Sequence, residues 1–327
     1  MLLKITGNFF AALAIIALAL IILVWAVWIP SATEADYRFI MAWGEKGSAP
    51  GQFDDPTGIA VSDTEVFVSD ARNARIQVFN YNGNFKRQFG DKGTQPGQLG
   101  RPMNLSIHGD ELYVADYWND RIQVFSLAGA FRRSIGKPGK RPGEFKAPGG
   151  VDVAADGSLF VADFYNQRIQ HLSADGGFIR QWGSTGKTGI RAGQFNYPTD
   201  VVLDKAGNLF IADGYNDRIQ MFSSDGTFLR QWGGPLALNI NGPFNGWIAT
   251  VTSLSLDAAN HLFVADFYNN RIQKFSVDGT FLASFGSQGS KPGQFQHAVA
   301  VAVAGDGTVF AADFGNNRIQ KWQPLIP

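Results

Sequence analysis

Four histidines are the residues from which this chain could most readily build a metal site or a general base, because imidazole titrates near neutral pH and binds metal ions. A catalytic zinc site needs protein ligands that converge on one ion. The four stand far apart and at different points of the repeat described below, at His108, His171, His261 and His297. Since the chain also lacks cysteine, we predict neither a zinc site nor a catalytic centre of this kind.

Oxygen-bearing side chains form a second candidate set. Asn104, Asp200 and Ser253 occupy equivalent positions in three repeats, on strands that we expect to line the central channel of a ring. Amide, carboxylate and hydroxyl oxygens are ligands for calcium, although a calcium site needs several of them, including acids. Calcium is therefore the one metal ion that this set could hold, and no other cofactor is predicted.

The repeat that fixes these positions is a phrase of eight residues that occurs six times. It reads DARNARIQ, DYWNDRIQ, DFYNQRIQ, DGYNDRIQ, DFYNNRIQ and DFGNNRIQ, and starts at Asp70, Asp116, Asp163, Asp213, Asp266 and Asp313. A period of 46 to 53 residues is in the range of propeller blades. Six acids and six arginines could ring a ligand. However, an element present in every unit is typical of what a fold requires, so we predict turn caps and contacts between blades.

Short runs of alternating apolar residues surround each phrase and predict antiparallel strands joined by tight turns. A second phrase, PGQF or a close variant, comes before a strand of small residues in most units, as at Pro50. Four strands in each of six units predict an all-β, six-bladed β-propeller over residues 37–323. The last unit lacks its fourth strand, and residues 38–43 have the pattern of that strand, so we expect them to close the ring.

The D-x-x-N-x-R-I-Q phrase, with PGxF before it, resembles the NHL repeat family over essentially all of residues 37–323. The resemblance implies a six-bladed propeller of the NHL type. It implies little about activity, because propellers include lyases, lactonases, RNA-binding proteins and pure interaction modules.

Aromatic residues follow the repeated aspartate, in turns that share one face of the propeller with the connections between blades. This loop-rich face would carry Tyr117, Trp118, Phe164, Tyr165, Tyr215, Phe267, Tyr268 and Phe314. Rigid aromatic side chains concentrate binding energy, so a sugar, a peptide or a protein could bind here; alternatively, they only pack the turns. The connection between units four and five adds Leu238, Phe244 and Trp247, in a stretch without charge from Gln231 to Leu256. Such a stretch predicts either a cover over the channel mouth or a docking surface for a protein partner.

The N-terminal part differs in composition. Phe9 to Ile29 is a run of 21 residues without charge, glycine or proline, long enough for a helix that crosses a bilayer. We predict a transmembrane signal-anchor helix in residues 1–30, a linker in 31–36 and, after the propeller, a tail in 324–327; a cleaved signal peptide is the alternative.

The charges beside the apolar run indicate an orientation. Lys4 precedes the run, and Glu34 and Asp36 follow it, which favours a cytoplasmic N-terminus and an extracytoplasmic propeller at the cell membrane. The propeller would be periplasmic if the source is a Gram-negative bacterium. The short linker further predicts that the face opposite the loop-rich one lies against the bilayer.

Composition excludes one class of partner. Lys and Arg number 28 against 28 Asp and Glu, and the pI is near 6.9, which argues against nucleic-acid binding through phosphates. The favoured function is a protein-interaction, accessory or assembly subunit of a membrane complex. The alternative is an extracytoplasmic metal-dependent lyase or hydrolase that uses Asp200 and Asn104 at the channel.

Overall fold

Six four-stranded antiparallel sheets form where the repeat places its alternating runs, in a computed structural model that describes residues 9–10, 12–19 and 29–325. Each sheet is one blade. The innermost strand of every blade contacts the innermost strands of its two neighbours, and the sixth contacts the first, so the ring is closed. The prediction of an all-β, six-bladed propeller is confirmed.

We number the blades by their inner strands and give the strands of each blade from inner to outer. Blades 1 to 3 contain Pro56–Val61, Glu65–Asp70, Arg75–Asn80 and Phe85–Phe89; Pro102–His108, Glu111–Asp116, Arg121–Ser126 and Phe131–Ile135; and Pro148–Val153, Leu159–Asp163, Arg168–Leu172 and Phe178–Gly183. Blades 4 to 6 contain Pro198–Leu203, Leu209–Asp213, Arg218–Phe222 and Phe228–Trp232; Val251–Leu256, His261–Asp266, Arg271–Ser276 and Phe281–Phe285; and Ala298–Val303, Val309–Asp313, Arg318–Pro324 and Tyr37–Trp43.

Shorter elements lie in the connections and turns. Ser287–Gln288 pairs in parallel with Gln294–Phe295 between blades 5 and 6. Single 3₁₀ turns occur at Tyr117–Asn119, Phe164–Asn166, Gly214–Asn216 and Pro235–Ala237.

The outer strand of blade 6 comes from the other end of the propeller sequence. Tyr37–Trp43 pairs antiparallel with Arg318–Pro324, so that Tyr37 lies opposite Pro324. The Tyr37 ring stacks on Phe285 of blade 5, and the Trp43 ring lies 5.8 Å from that of Phe79 in blade 1. This one strand therefore contacts both blades that flank the sixth.

Small residues let the inner strands approach one another closely around the axis. A Cβ atom on Gly58 would lie 2.2 Å from the carbonyl oxygen of Met103 in the next blade, and one on Gly150 would lie 2.1 Å from Oδ1 of Asp200. Neither position accepts a side chain without movement of the neighbouring strand. The channel is consequently narrow.

The described part of the N-terminal region is short. Residues 9–10 and 12–19 are helical with exposed side chains. The predicted span from Phe9 to Ile29 lies partly outside the described residues, as do residues 326–327 of the predicted tail. Within the described ranges, no helix is both long and apolar enough to cross a membrane.

Candidate functional site

The repeated phrase forms a hydrogen-bonded clamp, which blade 4 illustrates. Oδ2 of the buried Asp213 accepts from Nδ2 of Asn216 at 2.9 Å, Nε of Arg218 at 2.8 Å and Nε2 of Gln220 at 3.0 Å. Oδ1 accepts from the backbone N–H of Asn196. The carboxylate therefore hydrogen-bonds the side chains at the three other positions that recur in every copy of the phrase.

The same side chains hold the connection that arrives from the previous blade. Arg218 donates to the carbonyl oxygens of Ile190, Arg191 and Gln194, and Oε1 of Gln220 accepts from the backbone N–H of Gly193. The aspartate is buried in all six copies. The two repeated phrases thus bind each other, and the buried acids are not available to a ligand. The predicted turn cap is wrong in detail, because Asp213 makes no cap hydrogen bond to its own turn and accepts from the incoming connection instead.

Asn104 divides the channel. Its Nδ2 donates to the main-chain oxygen of Thr252, 3.2 Å away, and these residues belong to blades 2 and 5, on opposite sides of the ring. The turns between inner and second strands lie on the face opposite the loop-rich one, which we call the plain face. A cavity of about 260 Å³ lies between the Asn104 bridge and this face. A second cavity, of about 230 Å³, lies on the other side, towards the loop-rich face, and we call it the upper cavity. Asn104 lines both.

Asp200 lies in the lower cavity, the one nearer the plain face. Oδ2 accepts from the backbone N–H of Leu254 in blade 5 at 2.9 Å, and Oδ1 accepts from the N–H of Val201 at 3.0 Å. Ser253 lines the same cavity, and its Oγ accepts from the backbone N–H of Val301 in blade 6. Burial, with a smaller contribution from the charge of Asp152, raises the pKa of Asp200 to about 8. The structure thus places all three predicted channel residues at the lower cavity, where each forms a hydrogen bond between inner strands of different blades.

A second acid in this cavity, Asp152, was missed by the sequence analysis. Its carboxylate accepts from Oγ of Ser106 at 2.7 Å and from the backbone N–H of Leu203 at 2.8 Å, which links blades 2, 3 and 4. Burial raises its pKa as well. The signal was present: side chains alternate along a strand, so the residue two places after Gly150 also faces the channel.

The donor set of the channel is a poor fit to a metal ion. The described residues contain no group of three His, Cys, Asp or Glu side chains that could hold one. The oxygens of Asp152 and Asp200 already accept hydrogen bonds from backbone and serine groups. A bound calcium ion would have to displace those donors.

The upper cavity opens among the predicted aromatic residues of the loop-rich face. Four of these side chains are between 44% and 61% exposed and occupy the same turn position in four consecutive blades: Trp118, Tyr165, Tyr215 and Tyr268. We call these four residues the aromatic arc. Blades 6 and 1 have Gly315 and Arg72 at this position, so the arc is open on that side.

The residues next to the arc are half-buried and support it. Tyr117 and Phe164 line the upper cavity with their ring centroids 5.9 Å apart, and Phe267 lies 6.2 Å from Phe314. Blade 4 has Gly214 where other blades have an aromatic ring. This part of the predicted set thus packs the turns, while the arc faces solvent.

Two supporting rings were not predicted. Tyr197, from the connection before blade 4, has its ring 5.0 Å from that of Tyr215 and 4.9 Å from that of Phe164. The imidazole of His297 stacks on Phe267 at 4.4 Å. Both residues directly precede an inner strand and have positive φ. The repeat does not mark this position, because the equivalent residue in the other blades is Asp55, Arg101, Ala147 or Thr250.

The connection between blades 4 and 5 lies away from the channel mouth: none of the residues that line the upper cavity belongs to 233–250. Trp247 is buried beside Phe244, at a ring distance of 5.0 Å, and its carbonyl accepts from Arg271. Leu238 is exposed, together with Leu236 and Ile240. Of the three partner-binding candidates in this connection, only Leu238, 44% exposed, is therefore an exposed residue.

Comparison with known proteins supports the architecture. A family model described as a 6-bladed beta-propeller matches residues 97–182, and the NHL repeat model matches residues 53–79, 195–222 and 251–275. Protein brain tumor of Drosophila melanogaster is 46% identical over 48 residues, which cover 14% of this chain and 5% of that protein. The chain thus spans only a small part of that relative.

Solved structures resemble this one over most of its length. A protein of unknown function from Bacteroides thetaiotaomicron has a TM-score of 0.66 at 15% identity, with 90% of this chain and 75% of that chain covered. A streptogramin B lyase has a TM-score of 0.61 at 16% identity, with 89% and 98% covered. At such low identities the likeness extends to the fold alone. The chain is a six-bladed β-propeller that contains NHL repeats.

Proposed function

We propose that this protein is a binding propeller, a membrane-anchored accessory or assembly subunit that receives a protein partner on its loop-rich face. The observation that carries the proposal is the aromatic arc, in which four exposed rings occupy equivalent positions in consecutive blades. Exposed aromatic side chains on rigid turns give a large contact area at a small cost in conformational entropy. The supporting rings beneath the arc fix its turns in place.

Charged groups beside the arc would set the orientation of such a partner. The Arg101 guanidinium lies over the Trp118 ring at 5.5 Å, and the ammonium of Lys146 lies 5.6 Å from the Tyr165 ring. Cations held against aromatic faces are typical of binding surfaces that recognise polar as well as apolar groups. A partner segment with an acidic residue next to an apolar one would match this pattern.

The anchoring part of the proposal rests on the apolar run from Phe9 to Ile29. The propeller would stand outside the cytoplasm, on the charge difference across that run. Carbonate washing of native membranes tests the anchor, since an integral protein stays in the pellet. Protease treatment of intact and permeabilised cells tests the side on which the propeller lies.

The binding test uses the full chain in native membranes, cross-linked and then purified. The arc variant W118A/Y165A/Y215A should lose its cross-linked partner. A matched control, F178A/I179A/L229A, removes three exposed apolar side chains from outer strands and should retain the partner. Equal recovery from both variants would overturn the proposal.

An extracytoplasmic lyase or hydrolase is the alternative, and the pair of acids in the lower cavity is the observation in its favour. Its test is metal analysis of the purified protein before and after the substitution Asp200→Asn. If the natural protein contains stoichiometric metal and the Asp200→Asn variant does not, the carboxylate of Asp200 binds the metal. That result would favour the enzyme function over the binding function.

A further inference from the structure

The linker lies along blade 5. The backbone N–H groups of Thr33 and Glu34 both donate to the carbonyl oxygen of Leu282, at 2.9 and 3.1 Å, in the outer strand of that blade. The Glu34 carboxylate accepts from the ammonium of the buried Lys274 at 2.6 Å. The linker is therefore fixed to the propeller at several points, and the start of the propeller cannot swing freely beneath a membrane.

The contact between linker and blade 5 coincides with a change in the burial of the phenylalanine that begins the outer strand. The first residue of the outer strand is Phe85, Phe131, Phe178 and Phe228 in blades 1 to 4, and these side chains are 36% to 39% exposed. The same residue in blade 5, Phe281, is 3% exposed. The linker thus covers a strand edge that other blades leave open.

The N-terminal end of the linker, at Pro30, reaches the connection between blades 4 and 5. A Cβ atom on Gly246, in that connection, would lie 3.1 Å from Cγ of Pro30 and 3.8 Å from Cβ of Phe281. Pro30 directly follows the apolar run. The chain therefore leaves the proposed anchor beside this connection, at the outer strand of blade 5.

This connection is also the one without charge. The other five connections between blades each contain at least one lysine: Lys46, Lys92, Lys137, Lys187 and Lys291. The connection from blade 4 to blade 5 contains none, and no charged residue occurs from Gln231 to Leu256. It exposes Leu236, Leu238 and Ile240 instead. Lysine is costly to bury in a bilayer and leucine is not.

We propose that the exposed side chains of Leu236, Leu238 and Ile240 insert into the membrane interface beside the anchor, so that the propeller stands on the rim of blades 4 and 5. The proposal rests on the anchoring part of the proposed function. Two independent features coincide in it: the only uncharged connection among the six is also the one that Pro30 contacts. The channel axis then runs along the membrane rather than across it, and the aromatic arc faces sideways, towards a neighbour in the same bilayer.

This orientation differs from the one that the sequence predicts, in which the plain face lies against the bilayer. That prediction treats the linker as an extended tether that ends at the first strand. In the structure, the linker instead turns back along blade 5.

The experiment uses the full chain in vesicles of phosphatidylcholine and phosphatidylglycerol, with and without lipids that carry a nitroxide on the acyl chain. The natural chain has no cysteine, so a fluorophore can be attached at one engineered site at a time. Leu238→Cys reports on the rim of blades 4 and 5. Gln95→Cys, in the connection that enters the opposite blade 2, and Ala259→Cys, on the plain face of blade 5, are matched exposed controls.

We expect nitroxide lipids to quench the fluorophore at position 238 severalfold more than at position 95 or 259. Quenching at 259 without quenching at 238 would overturn the proposal in favour of the plain face. Equal, weak quenching at all three sites in vesicles that float with the protein would overturn it as well, and would leave the anchor standing. Failure of the protein to float with vesicles would refute the anchor itself, and this inference with it.

Discussion

Nδ2 of Asn104 lies 3.2 Å from the carbonyl oxygen of Thr252, and this hydrogen bond joins two blades that face each other across the ring. Every other hydrogen bond described above for the inner strands joins blades that are next to each other or residues within one blade. Because of this bridge, a ligand that enters from the loop-rich face can reach only the upper cavity. The acids of the lower cavity can be reached only from the plain face.

Substitution of Asn104 by alanine should join the two cavities at a modest cost in stability. One neutral hydrogen bond contributes about 1 kcal/mol, and the bridge has no second partner in the described contacts of Nδ2. Urea unfolding of Asn104→Ala should therefore show a loss of about 1 kcal/mol, against no measurable change for the exposed control Asn82→Ala. A loss of several kcal/mol would mean that the bridge holds the ring together.

The raised pKa of Asp200 should make the stability depend on pH in a defined direction. The folded protein keeps a proton on this group up to about pH 8, whereas the unfolded chain releases it near pH 4. The contribution of Asp200 to stability is therefore full below pH 4 and is lost as pH rises towards 8, by up to about 1.4 kcal/mol per pH unit. Asn at this position does not titrate. In denaturant unfolding from pH 5 to pH 8, the natural chain should lose stability relative to Asp200→Asn; a stability difference that does not change with pH would contradict the raised pKa.

Removal of the clamp arginine in blade 4 should strongly destabilise the folded protein. Arg218 is fully buried, and its loss removes the counter-charge of the Asp213 carboxylate and a donor to the carbonyl oxygens of Ile190 and Arg191. Breaking a buried ion pair from one side costs about 3–5 kcal/mol. We expect Arg218→Met to lose that amount in thermal or urea unfolding. Arg72→Met, which removes an exposed arginine, should lose less than about 1 kcal/mol. Similar losses for both would contradict a structural role of the clamp.

The closing strand offers a matched pair of substitutions three residues apart. Tyr37 is buried against Phe285 and Phe263, while Ile40 is exposed on the same strand. Loss of a buried aromatic side chain costs about 3–5 kcal/mol, so Tyr37→Ala should lower the melting temperature strongly and Ile40→Ala only slightly. A natural melting temperature for Tyr37→Ala would show that blade 6 is stable without the contacts of Tyr37 to blade 5.

The repeat made the architecture predictable, because the phrase that starts at Asp70 binds the PGQF phrase near Pro50 and both must recur together in every blade. The exposed members of the aromatic set were predictable only in part. Trp118 and Tyr117 are adjacent and chemically alike, and only packing decides that the first faces solvent and the second lines a cavity. Trp247 is buried for the same kind of reason, since a tryptophan in an apolar connection has the same sequence signal whether it packs inwards or outwards.

Pairing of Tyr37 with Pro324 has a consequence for the order of assembly in the cell. A ribosome adds about 5–20 residues per second, so the strand that begins at Tyr37 waits roughly 15–60 s before its partner strand exists. During that interval blades 1 to 5 can form one after another from local contacts, but the gap for the sixth stays open. A chain that ends before Arg318 therefore leaves the strand Tyr37–Trp43 without its partner and the outer edge of blade 6 unpaired.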